Sequence, residues 1–222
     1  MRNVVRVEKP EILKQKEKEW KRELLEELKK GDDADKKRLK TLYSRYGDPQ
    51  IRNSLRRMYK FCCYCESRIR HVTIDHIEHR KPKAKDKFPE CTFKWENLHL
   101  ACPNCNKVKS DNWNNEYPIL DAVTDIPISN FLTYRQYERV HLHPRGKTTQ
   151  EHTELNRQEL LEARQEIFWH TMELIELYNN DPDTPDAQIV PQKLDKYSEG
   201  QFGSFIAYLK KTYLKRKNDQ DN

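Results

Sequence analysis

Apolar residues recur at helical spacing over much of the chain. Within residues 10–30, Leu13, Trp20, Leu24 and Leu28 form one stripe among dense Lys and Glu, which predicts an amphipathic helix. Pro10 stands in its first turn and Gly31 closes it. The stripe is a packing face for the body of the protein or for a partner. Asp32-Asp33 is placed to cap a second helix, whose stripe is Leu39, Leu42, Tyr43 and Tyr46 and whose stop is Gly47. Asp48-Pro49 sets a capping carboxylate before a proline at the first helical position. It opens a third helix with Ile51, Leu55, Met58 and Tyr59 on one face. These Tyr and Leu stripes read as core.

Further on, residues 117–127 read as loop, broken by Pro118 and Pro127. Residues 131–134 and 139–143 can pair as a short hairpin, which would set His141 and His143 on one strand face. Exposed strand histidines are commoner than ligands, so this pair stays outside the site. Asn156 with Glu159 resembles a capping box and opens a long helix to about Tyr178. Its apolar face is Leu160, Leu161, Ile167, Phe168, Leu174, Ile175 and Tyr178, a scaffold for the N-terminal helices. Ser198 and Gln201 cap a last helix with Phe202, Phe205, Ile206, Leu209 and Tyr213 as its stripe. From Lys215 the tail is polar and expected to fray.

Hydrophobic residues make up 35% of the 222 residues, so the core is modest for the length. The N-terminus lacks the apolar stretch of a signal peptide, and no apolar run is long enough to cross a bilayer. A cytoplasmic chain is the expectation. In that compartment cysteines hold metal rather than disulfides. The net charge of +6 is mild. Its distribution says more: Arg68, Arg70, Arg80, Lys81, Lys83, Lys85 and Lys87 form a strip suited to a phosphate backbone.

Residues 61–111 carry the chemistry. Cys62-x-x-Cys65 and Cys102-x-x-Cys105 bracket this stretch. Two such knuckles suit a tetrahedral four-thiolate zinc site, closed and therefore structural. Cys63 offers a rival register, but Cys62 and Cys65 match the spacing of the second pair; Cys63 and Cys91 are expected to be free thiols. Between the knuckles lie Asp75-His76-Ile77-Glu78-His79 and Asn97, and Asn106 follows Cys105. An acid, a histidine and an amide suit a hard metal with a water-activating base beside it. Taken singly, each is more often a polar side chain capping a turn. At these spacings between two zinc knuckles they point to one site. Residues 70–80 can run as a strand, residues 93–101 lead back as a second strand, and a helix starts after Cys105.

These elements resemble the HNH endonucleases of ββα-metal type. The resemblance rests on Cys62-x-x-Cys65, the acid-His-x-x-Pro element, Trp95-Glu96-Asn97-Leu98 and Cys102-x-x-Cys105-Asn106-x-x-Lys109, over about 50 residues. More narrowly, Glu78-His79-Arg80-Lys81-Pro82-Lys83, Lys87-Phe88-Pro89-Glu90 and Trp95-Glu96-Asn97 look like the HNH nucleases that accompany ATPases in bacterial anti-phage systems of the Septu and retron type. Leu155–Leu160 looks similar to the C-terminal helix of that group. Two acid-His units compete for the family's single one. In the family a proline follows the catalytic histidine by three residues. Pro82 stands so to His79, which makes His79 the general base and Glu78 the adjoining metal ligand, with His76 and Asp75 as the other register.

The resemblance implies metal-assisted phosphodiester hydrolysis. Glu78 and Asn106 would hold Mg2+ or Mn2+, and Asn97 would fix the histidine-bearing loop. An amide in place of the family's last histidine, as at Asn106, is common. Arg80, Lys81, Lys83, Lys107 and Lys109 are candidates for the phosphate backbone. DNA is favoured over RNA, and an ATPase subunit is the expected partner in antiviral defence. A stand-alone restriction-type nuclease or a non-catalytic zinc-stabilised binding module are the alternatives. The expected fold is α+β and mostly helical. An N-terminal helical segment (1–60) precedes the zinc-stapled ββα unit (61–116), and a hairpin and helices (117–222) complete one body.

Overall fold

Three helices lead into the cysteine-rich stretch, where the apolar stripes predict them: α1 (Glu11–Lys29), α2 (Lys36–Ser44) and α3 (Pro49–Met58). A computed structural model of the protein describes residues 1–69 and 75–215. Arg70, the first residues of the expected 70–80 strand and the tail beyond Lys215 lie outside the described residues. In α1 the stripe turns inward: Leu13 and Leu24 are fully buried, and Trp20 meets Phe93 edge to face at 5.6 Å. The stripe thus packs on the body of the protein. The cap of α2 is Asp35, not Asp32-Asp33: its carboxylate accepts from the backbone N–H of Lys37 and Arg38, and Asp32 and Asp33 form a 3-10 turn before it. Asp48 caps α3 with Pro49 at its start, as the sequence predicts.

The ββα unit follows. Strand β1 (His76–His79) pairs antiparallel with β2 (Leu98–Ala101), with Glu78 opposite His99 and His79 opposite Leu98. Helix α4 (Pro103–Lys109) starts at Cys102 and packs on β1, while α3 packs on β2. The expected hairpin is present as β3 (Leu132–Arg135) and β4 (Glu138–His141). His143, however, is not on the strand face of His141. It caps α5 (Pro144–His152), its ring nitrogen accepting from Arg145 N–H.

Helix α6 (Gln158–Asn180) is the long helix, but Asn156 does not cap it. The Asn156 amide instead bonds both the N–H and the C=O of Arg139 on β4 at 2.8 Å. Two short helices, α7 (Pro185–Gln188) and α8 (Val190–Ser198), precede α9 (Gly203–Tyr213). Ser198 therefore ends α8 rather than capping α9. The corner between them leaves no room for a Cβ at Gly203, which would fall 1.8 Å from the Ser198 carbonyl oxygen. The main partners of α6 are α9, α8 and α7, its neighbours in sequence, and not the N-terminal helices. One cluster of buried apolar residues runs from Leu13 through Leu100 to Leu209, so the ββα unit sits inside a shared core. Among the described residues, no helix is long and apolar enough to cross a membrane.

His99 shows how polar groups enter that core. Tyr59 bonds its Nδ1 at 2.7 Å, Arg6 approaches Nε2 at 3.5 Å, and Asp121 lies 3.8 Å away. Burial, opposed by Asp121 and helped by Arg6, holds His99 below the ordinary histidine range. The folded protein keeps it neutral, while the unfolded chain takes a proton near pH 6.5. Stability is therefore complete above that pH and falls below it. Between pH 7 and pH 5 this one group is expected to remove about 2 kcal/mol. Urea unfolding at the two pH values, with zinc in excess, checks it, and His99→Gln should shrink the difference by about that amount.

Candidate active site and metal centre

The first knuckle is a tight turn after α3. Cys62 N–H donates to Ser67 O at 2.9 Å and Glu66 N–H to Cys62 O at 3.1 Å. Glu66 takes a positive φ of 65° to close it. Cys63 N–H donates to Leu100 O at 2.9 Å, so the turn is sewn to β2. In the second knuckle Cys102 Sγ accepts from Cys105 N–H at 3.4 Å at the start of α4. The sulfurs of Cys62, Cys65, Cys102 and Cys105 lie within 4.8 Å of one another and are all buried. Cys65 and Cys102 are 3.8 Å apart. That is the edge, about 3.8 Å, of a tetrahedron with Zn–S bonds of about 2.3 Å. The four residues fit zinc. Cys63 and Cys91 are buried outside this cluster. Arg157 directs Nη1 at Cys105 Sγ from 3.5 Å, which offsets the negative charge of a four-thiolate centre.

The second part of the site lies over β1 and α4, around a cavity of about 960 Å³ lined by His76, Glu78, His79, Lys83, Asn106 and Lys107, among others. His79 is buried, and its Nε2 lies 2.9 Å from the Thr92 carbonyl. A carbonyl only accepts, so Nε2 carries the proton and Nδ1 keeps its lone pair. Nδ1 has no hydrogen-bond partner among the described residues. Tyr46 backs the ring edge-on at 4.6 Å. Burial, reinforced by the charge of Lys83, holds His79 well below the ordinary histidine range, so it is neutral at neutral pH.

Glu78 is buried on the adjoining position. Tyr64 Oη donates to its Oε1 at 3.2 Å, and Lys109 Nζ approaches the same oxygen at 2.8 Å. Oε2 is without a partner among the described residues. Burial pushes this carboxyl above its usual range, against the pull of Lys109. Across the cavity the Asn106 amide donates to His76 Nδ1 at 3.3 Å. Glu78 Oε2 and the Asn106 side-chain oxygen are oxygen donors that the cavity offers to a hard divalent ion. Lys83 is partly buried beside them, 5.1 Å from the Tyr46 ring, and burial lowers its pKa despite Glu78.

Asn97 staples the loop after β1. It accepts from Lys81 N–H at 2.7 Å and donates to the carbonyls of Lys81 and Cys91, each at 3.0 Å. Asp75 is engaged elsewhere. Arg52 and Arg56 take both its oxygens at 2.6–3.1 Å, which leaves it fixing the start of β1 rather than facing a metal. Lys109 departs from the sequence expectation. It is 1% exposed and bonds Glu78, His79 O and Ser110 O, so its ammonium is not presented to a phosphate backbone. Arg80 and Lys81 lie outside the cavity lining, whereas Lys83 and Lys107 are in it. Sequence reasoning missed Tyr46, Tyr64 and the Arg52–Arg56 clamp. The arginines, four apart on the polar side of α3, were the one signal available for the last.

Residues 62–112 match the family model for HNH endonucleases. This segment is an HNH endonuclease domain. Its boundaries enclose both knuckles, β1, β2 and α4. The chain is also 29% identical over 83 residues to a protein named Septu protein PtuB from Bacillus mycoides (strain KBAB4). That match covers 32% of this chain and 28% of the relative, well under two thirds of the relative's length.

Proposed function

We propose that the protein is a metal-dependent HNH endonuclease that hydrolyses phosphodiester bonds, in DNA by preference, as the nuclease of an anti-phage defence system working with an ATPase partner. One observation carries the chemistry. His79 is held neutral, with Nε2–H on a backbone carbonyl and Nδ1 unpaired, in the cavity that Glu78 and Asn106 also line. The defence role rests on the relative named Septu protein PtuB and on the resemblance of residues 78–97.

His79 Nδ1 takes a proton from water as the water oxygen attacks phosphorus. Lys83 and Lys107 pair with the unreacting phosphate oxygens. Glu78 Oε2 and Asn106 would hold the divalent ion. When bound, that ion supplies charge to the crowded phosphorus and to the departing 3′ oxygen. The P–O3′ bond breaks, the 3′ oxygen takes up a proton from solvent, His79 returns its proton to solvent, and a 5′-phosphate and a 3′-hydroxyl remain. Tyr64 and Lys109 fix the Glu78 carboxylate, and Asn97 keeps His79 and its loop in register.

The test is cleavage of plasmid, linear duplex and single-stranded DNA by the zinc-loaded protein, with and without Mg2+ or Mn2+. Metal-dependent products with 5′-phosphate ends are expected. Intact substrate in every arm, also after addition of a co-purified partner, would remove the reading. Lys109→Met gives a separate check on the Glu78 site. Removing the ammonium leaves a buried carboxylate uncompensated, a loss of about 3–5 kcal/mol. Millimolar Mn2+ is expected to restore much of it in thermal melts if the ion sits on Glu78, and none if it does not.

A further inference from the structure

The loop that follows His79 carries a feature that water activation does not use. Phe88 and Trp113 meet edge to face, with centroids 5.4 Å apart and planes at 71°. Both are only partly buried, and neither belongs to the apolar core or packs on it. Two cations sit against them. The Arg80 guanidinium is 5.5 Å from the Trp113 centroid. The Lys81 ammonium is 5.1 Å from that of Phe88 and 5.9 Å from that of Trp113. Two large rings held off the core and flanked by cations are not explained by packing.

The group is fixed relative to the reacting centre. Arg80 follows His79 directly, its N–H donates to Asn97 O at 3.1 Å, and its Nε donates to Ile119 O at 2.9 Å. Asn97 holds Lys81 through both backbone groups. Phe88 N–H donates to Pro82 O at 3.0 Å, and Trp113 Nε1 to Asn115 at 2.9 Å. Asp111, two residues before Trp113, lines the catalytic cavity. Pro82, which Phe88 holds through its carbonyl, lines the same cavity, so both rings are tied to residues of the cavity wall.

We propose that Phe88 and Trp113, with Arg80 and Lys81, form a stacking subsite for the base next to the cleaved phosphate, and that the substrate is single-stranded nucleic acid. The inference rests on the nuclease reading and names its substrate class. Every base offers a π-face, but in a duplex both faces are covered by neighbouring pairs. An unpaired base exposes one to an aromatic side chain. Arg80 and Lys81 are placed to take the flanking phosphates, by charge alone and without sequence preference.

The experiment uses the full chain carrying His79→Ala to stop turnover, a labelled oligo-dT strand and a hairpin duplex of equal charge, and fluorescence anisotropy. Trp113→Ala is expected to weaken strand binding about tenfold or more, to leave duplex binding unchanged, and to be rescued by Trp113→Phe. Equal losses on strand and duplex, or no loss, overturn the inference. If Trp113→Ala does not fold, Trp113→Phe against Phe88→Leu carries the same comparison. Metal-dependent cleavage by otherwise native protein in which Trp113→Ala changes nothing would sink the subsite and keep the nuclease. Absence of both binding and cleavage would sink both.

Discussion

Exchange of Cys102 for serine is expected to unfold the protein, not merely to loosen it. The four sulfurs are buried at tetrahedral spacing, and each knuckle is tied to a different element, the first to β2 and the second to α4. Structural zinc contributes about 10–16 kcal/mol in small peptides, as much as the whole stability of a typical domain, about 5–15 kcal/mol. With one ligand gone, three buried thiols without metal would face one another at the centre of the core. Metal analysis is expected to find one zinc per wild-type chain and none in Cys102→Ser. The variant should also lose its cooperative melt. Cys91→Ser, outside the cluster, should keep zinc and melt close to wild type. An unchanged melt in Cys102→Ser would refute the zinc centre.

The second large effect concerns turnover. His79→Ala is expected to lower kcat for phosphodiester cleavage by about 10²–10⁴-fold, the usual contribution of a positioned general base. Zinc content should be unchanged. His79→Gln keeps more of the volume between Tyr46 and Thr92 and should be as inactive, which separates lost chemistry from lost packing. His76→Ala should cost far less, because its Nδ1 already accepts from Asn106 and Asp75 beside it is consumed by two arginines. The reverse order, with His76→Ala dead and His79→Ala active, would transfer the base role to His76.

How far the sequence reveals this molecule depends on which force makes each part. The N-terminal helices are legible because their stability is written as apolar stripes, and Asp48-Pro49 is a cap that can be read locally. Helix α5 is not, because it has no apolar stripe. It is set by Pro144 at its start and by two contacts distant in sequence, the Arg145–Asp125 ion pair at 2.6–2.8 Å and Thr149 buried against Leu120. In α8, Val190, Leu194 and Tyr197 do form a stripe, but Pro191 masks it, although a proline in a first turn is compatible with a helix. The cysteine knuckles are legible by spacing alone. The Thr92 carbonyl that orients His79 is a backbone atom and leaves no mark in the sequence. Lys109 reads as a cation for the phosphate backbone until burial sets it against Glu78.

The junctions around the first knuckle bear on portability. Glu66, which closes that knuckle, accepts from Arg2 Nε at 2.9 Å and from Ser204 N–H at 3.0 Å, while Arg157 and the Thr153 carbonyl reach Cys105. The segment that carries the reactive groups therefore borrows its walls from both ends of the chain. Cut out as residues 62–112, it would keep its six cysteines but expose Leu100, Trp95 and the knuckle turn, and a buried carboxylate would lose its partners. It is a component and not a cassette: grafting it elsewhere would require carrying partners up to 138 positions away along with it.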